Sequence, residues 1–374
     1  MSKVLFVIDT LKMGGAEKST LLIASRMMRL DAVLCTVYNG DDLSQASEYK
    51  ELRIIKLGSN AKYGFLYNSR KLREVIEAEQ PDLVVSTLFK SNMVTRLALL
   101  RSSIPLLGTF VNEEYNASRF TTGSFKERVY YAWQYFFDLI SVHCNSHIVS
   151  NSESIKREDG RKLLYPQNKI SVIYRGREIP RHQLRNMPEQ RSLSFLSVGR
   201  LIKRKGQLEI VLAFAQLIQD YPNASLQIAG EGPYRHVLED AIERLGIGNS
   251  VHLLGHVSNV DELLKKATFF VFASHYEGFS GALVEAMLAG KIIICSDIPM
   301  NLEAVTNGDT GLVFRCGDVA DLADKLHFAA ENRESLEYLG FNAVRLAQER
   351  FDIEKALVKY EDLYEAVIRE HRNR

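Results

Sequence analysis

The 374-residue sequence predicts an α/β protein built from two doubly wound parallel sheets. Three observations carry this. Short apolar runs alternate with helical segments through both halves of the chain. A charged stretch with two prolines and little apolar periodicity, RGREIPRHQLRNMPEQRS at 175–192, separates the halves. In each half a glycine-rich turn follows an apolar run and opens a helix, an arrangement suited to an anion at the helix N-terminus. The length fits roughly two domains.

In the first half, residues 3–9 read as a buried parallel strand. The turn Lys12-Met13-Gly14-Gly15-Ala16-Glu17 follows, then a helix from about Lys18 to Met28. This turn is not the GxGxxG of dinucleotide sites. Gly14 and Gly15 let the backbone approach a ligand, or they serve only a tight turn. Further strands are expected at Ala32–Tyr38, Arg53–Lys56, Leu83–Ser86, Leu106–Phe110 and Ile148–Ser150, with helices at Ser69–Glu79 and Met93–Arg101. Ligands of such sheets collect at the carboxyl ends of the strands. The groups to inspect there are Asp9, Thr87, Lys90, Asn112, Glu113 and Glu114. Residues 120–142, FTTGSFKERVYYAWQYFFDLISV, contain the single tryptophan, Trp133. They read either as a core helix packed on the sheet or as an amphipathic helix facing a membrane. The aromatic content favours the core.

The second half opens on a strand at Leu193–Val198. Gly199-Arg200-Leu201-Ile202-Lys203-Arg204-Lys205-Gly206 follows, before a helix at about Gln207–Gln219. A basic cluster between strand and helix is well placed for phosphate, although a solvated loop would look the same. A strand at Ser225–Ala229 leads to Gly230-Glu231-Gly232-Pro233 and a helix at about Tyr234–Leu245. A short strand at Val251–Leu253 precedes Gly255-His256-Val257, in which His256 reads as a surface or packing residue. After the apolar run TFFVFAS come Glu277-Gly278-Phe279-Ser280-Gly281 and a short helix, Ala282–Ala289. Ser280 stands at the N-cap position and Gly290 at the stop. Strands at Ile292–Ser296 and Gly311–Phe314 and helices at about Val319–Glu331, Arg333–Gln348 and Ile353–Arg372 complete the chain.

The 273–290 block is the chemical centre. The N–H groups and positive dipole end of its helix suit a phosphate. Glu277 and Glu285 flank that end. A carboxylate repels a diphosphate, so their partners should be hydroxyls of ribose or sugar. An anion-binding turn with hydroxyl acceptors on either side describes a nucleotide-sugar site.

The string EGFSGALVEAMLAG resembles the signature of the family-4 retaining glycosyltransferases. The segments at 199–206, 230–233 and 311–314 resemble that family's GRLxxxKG, GxGP and GLLF stretches, and Gly14-Gly15-Ala16-Glu17 a turn common in it. The resemblance implies a GT-B fold: two Rossmann-like domains facing a cleft, with a C-terminal helix crossing back to the first. The expected boundaries are 1–178 with 353–374 for an acceptor-binding domain, and 190–352 for a nucleotide-sugar-binding domain. By the same resemblance Arg200 and Lys205 neutralise the donor diphosphate, Glu285 holds ribose, Glu277 holds the donor sugar, and the turn at Val257 meets the base. The donor-binding set is then Gly14, Gly15, Arg200, Lys205, Gly230, Val257, Glu277, Gly278, Phe279, Ser280, Gly281 and Glu285. Two departures stand out. Many members carry a histidine after the strand at 106–110, where this chain has Asn112, which could supply a similar hydrogen bond. The usual NGxD appears as Tyr174-Arg175-Gly176-Arg177-Glu178, which adds positive charge.

The activity implied is transfer of a hexose-type sugar, with retention, from a UDP- or GDP-sugar to a hydroxyl acceptor on a glycan or lipid-linked glycan of the cell surface. No metal or other cofactor is expected, because Arg and Lys can take the diphosphate charge. The alternatives are a sugar-nucleotide epimerase of the same fold and a non-catalytic partner subunit. A net charge of +1 supplies no general attraction for nucleic acid. Cys35, Cys144, Cys295 and Cys316 show no metal spacing and suit a reducing cytoplasm, with peripheral contact at the inner membrane face as an extension. No apolar run approaches the ~20 residues of a transmembrane helix.

Overall fold

The structure, a computed structural model, describes all residues except 13, 42, 45–48, 62–63, 113, 116–123, 180–192 and 374. Most of the expected separating stretch and Glu113 therefore lie outside the described residues. The chain forms two compact units, Met1–Gly176 with Ile353–Arg374, and Arg177–Asp352.

The first unit runs β1 (Ser2–Ile8), α1 (Gly15–Ser25), β2 (Leu30–Tyr38), β3 (Arg53–Ser59), α2 (Phe65–Glu79), β4 (Leu83–Thr87), α3 (Phe89–Ala98), β5 (Leu106–Phe110), α4 (Phe125–Ser141), β6 (His147–Ser150), α5 (Glu153–Lys162) and β7 (Ile170–Val172). Its parallel sheet has the order β3-β2-β1-β4-β5-β6-β7. Strand β1 shows why its residues are apolar on both sides. Val4, Phe6 and Ile8 join the core under α1 and the C-terminal helix Ile353–Arg372, while Leu5 and Val7 join the one under α2 and α3. The C-terminal helix gives Ala356, Tyr360, Tyr364, Val367 and Ile368 to the first of these cores.

The second unit runs β8 (Ser194–Val198), α6 (Gln207–Asp220), β9 (Ser225–Ala229), α7 (Arg235–Leu245), β10 (Val251–Gly255), α8 (Val260–Lys266), β11 (Phe269–Phe272), α9 (Gly281–Leu288), β12 (Ile292–Ser296), α10 (Pro299–Leu302), β13 (Leu312–Phe314), α11 (Val319–Glu331) and α12 (Glu337–Arg350). Its parallel sheet has the order β10-β9-β8-β11-β12-β13. Phe195 and Phe269 stack at 4.6 Å between β8 and β11, and α6 and α11 cover that face.

Strand order reverses between β1 and β4 in one unit and between β8 and β11 in the other. A crevice opens at such a switch point because the flanking helices depart to opposite faces. The segment after β8 is 199–206 and the segment after β11 is 273–281, so both candidate turns of the second unit border its switch point.

Several expectations change. Helix α1 starts at Gly15, three residues before the expected Lys18, because the glycine pair forms its N-cap and first residue. Ser280 occupies the N-cap position of α9, but its hydroxyl makes no capping hydrogen bond. Helix α4 is not a core helix on the sheet. Its buried residues are Gln134 and Asp138, and it packs on α3 through a polar seam. Asp138 accepts hydrogen bonds from Arg96 and Tyr115, while Trp133 lies against Phe65 and Phe89 at 5.9 Å each. Phe125, Val129, Phe136 and Ile140 are left exposed.

Candidate functional site

The basic loop and the 273–281 turn are fastened to each other by backbone. His275 N donates to Arg204 O at 2.8 Å, and Arg204 Nη1 donates to Tyr276 O at 3.1 Å. The approach needs Gly206. Its φ is +68°, and a β-carbon there would stand 2.1 Å from Ala273 O. The neighbouring turns join the same frame: Leu201 N donates to Glu231 O at 2.9 Å and Gly230 N to Gly255 O at 2.7 Å. Val257 is half-buried just beyond Gly255.

Within this frame cations and carboxylates alternate. Lys205 Nζ forms an ion pair with Glu277 and lies 5.3 Å from the centre of the Phe272 ring. Burial pushes the Glu277 carboxyl up, but the charges of Lys205 and Arg204 beside it outweigh that, holding the group below its ordinary value. Glu277 therefore stays ionised at neutral pH. Arg177 Nε donates to Glu285 Oε1 at 2.8 Å, one turn inside α9. Arg200 is exposed, and its side chain takes no ion pair among the described residues. Gly278 and Phe279 are buried, with Phe279 against Phe351 at 4.9 Å. Ser280 and Gly281 are half-buried at the uncapped start of α9.

Sequence reasoning left Arg204 unassigned and gave Arg177 only a general positive charge. Arg204 fastens the two loops, and Arg177 lies on the 281–285 segment itself. No motif pointed to Arg177 as the partner of Glu285; the departure from NGxD was the only available signal.

In the first unit, Gly14 and Gly15 begin α1, and Arg175 Nη1 lies 3.1 Å from where a Gly15 β-carbon would stand. A cavity of about 40 Å³ lies beside this turn, with Ser19, Thr87, Asn151 and Arg175 in its wall. Asp9 accepts from Ser91 N at 2.8 Å and from the Ser91 hydroxyl. Burial pushes the Asp9 carboxyl up, in spite of Ser91 and Lys90. Asn112 Nδ2 lies 3.4 Å from Glu114 Oε1, and Gln134 Nε2 lies 3.4 Å from Glu114 Oε2. These groups are polar and close to the ends of β1, β4 and β5. Among the described residues no group of three or more His, Cys, Asp or Glu side chains is arranged to hold a metal.

Residues 13–180 match the family model described as Glycosyltransferase Family 4, and residues 182–345 match the one described as Glycosyl transferases group 1. The chain belongs to the family-4 glycosyltransferases. This glycosyltransferase is 27% identical over 356 residues to a Campylobacter jejuni enzyme, covering 92% of this chain and 93% of that one. That relative is named GalNAc-alpha-(1->4)-GalNAc-alpha-(1->3)-diNAcBac-PP-undecaprenol alpha-1,4-N-acetyl-D-galactosaminyltransferase. It is 25% identical to the capsular polysaccharide biosynthesis glycosyltransferase CapM of Staphylococcus aureus, over 63% of this chain and 66% of the relative. This chain is 28% identical to the uncharacterized glycosyltransferase MJ1059 of Methanocaldococcus jannaschii, over 63% of this chain and 60% of the relative. The match thus spans just under two thirds of these last two relatives. Its GT-B fold is shared with Anabaena Alr3699/HepE, solved in complex with UDP and glucose. The TM-score is 0.82 at 20% identity, over 98% of this chain and 100% of that one.

Proposed function

We propose that this glycosyltransferase transfers a hexose-type sugar, with retention, from a UDP- or GDP-sugar to a hydroxyl of a glycan or lipid-linked acceptor. The observation that carries the proposal is the charge arrangement at the switch point of the second unit, with Lys205 on Glu277 and Arg177 on Glu285 around the start of α9. Charge grows on the leaving diphosphate as the glycosidic bond breaks. Arg200, Lys205 and the N–H groups at Phe279–Gly281 would meet that charge in a preorganised frame. These cations take the part a divalent ion would otherwise play. Glu285 would accept from ribose hydroxyls, and Glu277 from the donor sugar.

Glu277 is buried against Lys205, which makes it a poor free nucleophile and favours attack from the same face as the leaving group. The acceptor oxygen bonds to the anomeric carbon as the bond from that carbon to the diphosphate breaks. The acceptor proton passes to the departing phosphate oxygen. Asn112 would donate a hydrogen bond to the transferring sugar.

The exposed face of α4 supports an acceptor held at a membrane. Phe125, Val129, Phe136 and Ile140 are all more than half exposed and share one helical stripe, with Lys126 and Arg128 exposed at the same end. The contact we propose is peripheral, at the cytoplasmic face; no described helix is long and apolar enough to cross a membrane.

The test is turnover by Glu285→Ala, Arg200→Ala and Lys205→Ala. Each should lose about 10²–10³-fold, or a few kcal/mol of transition-state stabilisation. Wild-type rates in all three would end the proposal. Nucleotide release that needs an acceptor separates transfer from epimerisation, and release under no condition would mark a non-catalytic subunit.

A further inference from the structure

Arg177 is the third residue of the Arg175-Gly176-Arg177-Glu178 stretch that stands in for NGxD, and it is firmly placed. Its backbone N–H donates to Phe351 O at 2.8 Å, and it bridges to Asp352 beyond the end of α12. From there the side chain reaches the start of α9. Nε is on Glu285 Oε1, and Nη2 lies 1.6 Å from where a Gly281 β-carbon would stand. The guanidinium thus lies directly on the Gly281 backbone, and any larger residue at 281 would displace it. It is 15% exposed, against 35% for Glu285.

A cation at a helix N-terminus opposes the helix dipole, which is a net cost. Glu285 offsets that cost here. An anion lying between the guanidinium and the first N–H groups of α9 would satisfy both, and a planar guanidinium suits phosphate oxygens. The same cation masks the charge of Glu285, which would otherwise repel a diphosphate bound one turn away.

We propose that Arg177 is a donor-binding residue that makes the site selective for a nucleoside diphosphate over the bare nucleoside. It rests on the reading that the second unit binds a nucleotide sugar. When the donor enters, the ribose hydroxyls share Glu285 and the guanidinium turns to the diphosphate, so the two contacts form together.

The experiment is calorimetric titration of the full chain with uridine, UDP and inorganic pyrophosphate, with the guanosine and adenosine series in parallel. Wild type, Arg177→Ala, Arg177→Gln and Arg177→Lys are compared, using the base that wild type binds most tightly. Loss of the guanidinium should weaken the diphosphate and pyrophosphate at least tenfold and leave the nucleoside unchanged or tighter, because Glu285 has lost a competitor. Arg177→Lys should recover part of the diphosphate affinity. Equal losses for nucleoside and diphosphate would overturn the inference, since they mean Arg177 only positions Glu285. Unchanged diphosphate affinity would overturn it as well. Arg177→Gln keeps most of the stem and supplies the comparison if the alanine variant does not fold. A wild-type chain that binds no nucleotide at all would defeat the donor reading itself. Tight wild-type binding with no effect of the substitutions would defeat only the role of Arg177.

Discussion

Glu277 is ionised in a place water hardly reaches, and Lys205 is what keeps it so. Removing one partner of a buried pair leaves an uncompensated charge, at a cost of about 3–5 kcal/mol. Lys205→Ala should therefore lower the urea midpoint of the second unit as well as the rate. The pH dependence has a definite sign. The folded-state pKa of Glu277 lies below its ordinary value of 4.5, so the pair's contribution is present above that pH and lost as pH falls through the folded value. In Lys205→Ala, burial acts without its main counterweight and the carboxyl should rise instead. The stability of the variant relative to wild type should then improve on acidification from neutral pH. A constant difference between pH 7 and 4 would show that Lys205 does not hold that charge. Lys291 shifts stability in the same direction but in an alkaline window. Its ammonium donates to Ala267 O at 2.9 Å, and burial pushes its pKa down from 10.5 to about 8. Between these values the unfolded chain holds a proton the folded chain has released, so this group's contribution rises with pH. Lys291→Met should remove that rise, so the wild-type-minus-variant difference in unfolding midpoint should climb from pH 8 to 10.5.

At the scale of elements, turns fix the site more than helices do. Gly206→Ala forces a β-carbon against Ala273 O in a left-handed conformation, so the basic loop must part from the 273–281 turn. Nucleotide affinity should fall at least tenfold while α6 and β8 persist by circular dichroism; unchanged affinity would mean the two loops bind independently. Helix α4 offers a separate test. Val129→Glu with Phe136→Glu should abolish flotation with anionic vesicles and leave the melting temperature unchanged. Loss of folding instead would place the stripe in a core. The regular strands were legible because strands buried on both faces are continuously apolar. Helix α5 was missed because its buried positions, Ser154, Ile155, Asp159 and Gly160, contain one large apolar side chain. Strand β7 was missed because it has three residues at a sheet edge. The aromatic content of α4 misled because composition does not show which face is covered. A buried polar seam at Gln134 and Asp138 holds it instead.

At the scale of the molecule, each unit owns a core, and the last helix belongs to the first. Deleting residues 353–374 removes Tyr360, Tyr364 and their neighbours from beneath β1 and should unfold the first unit before the second in a thermal melt. A single unchanged transition would contradict that. The proposed donor residues Arg200, Lys205, Glu277 and Glu285 could be singled out in the sequence because they sit in fixed-spacing motifs within one unit. The polar cluster of the first unit was harder to single out, because Asp9, Lys90, Asn112 and Glu114 come from separate strand ends that only the folded sheet brings near. The central claim is that cations of the second unit grip a departing diphosphate. Calorimetric titration of Lys205→Ala, Arg200→Ala and wild type with a panel of nucleoside diphosphates tests it most directly. The account predicts that wild type binds one of them and that each variant binds it at least tenfold more weakly. Equal affinity in all three proteins would contradict it.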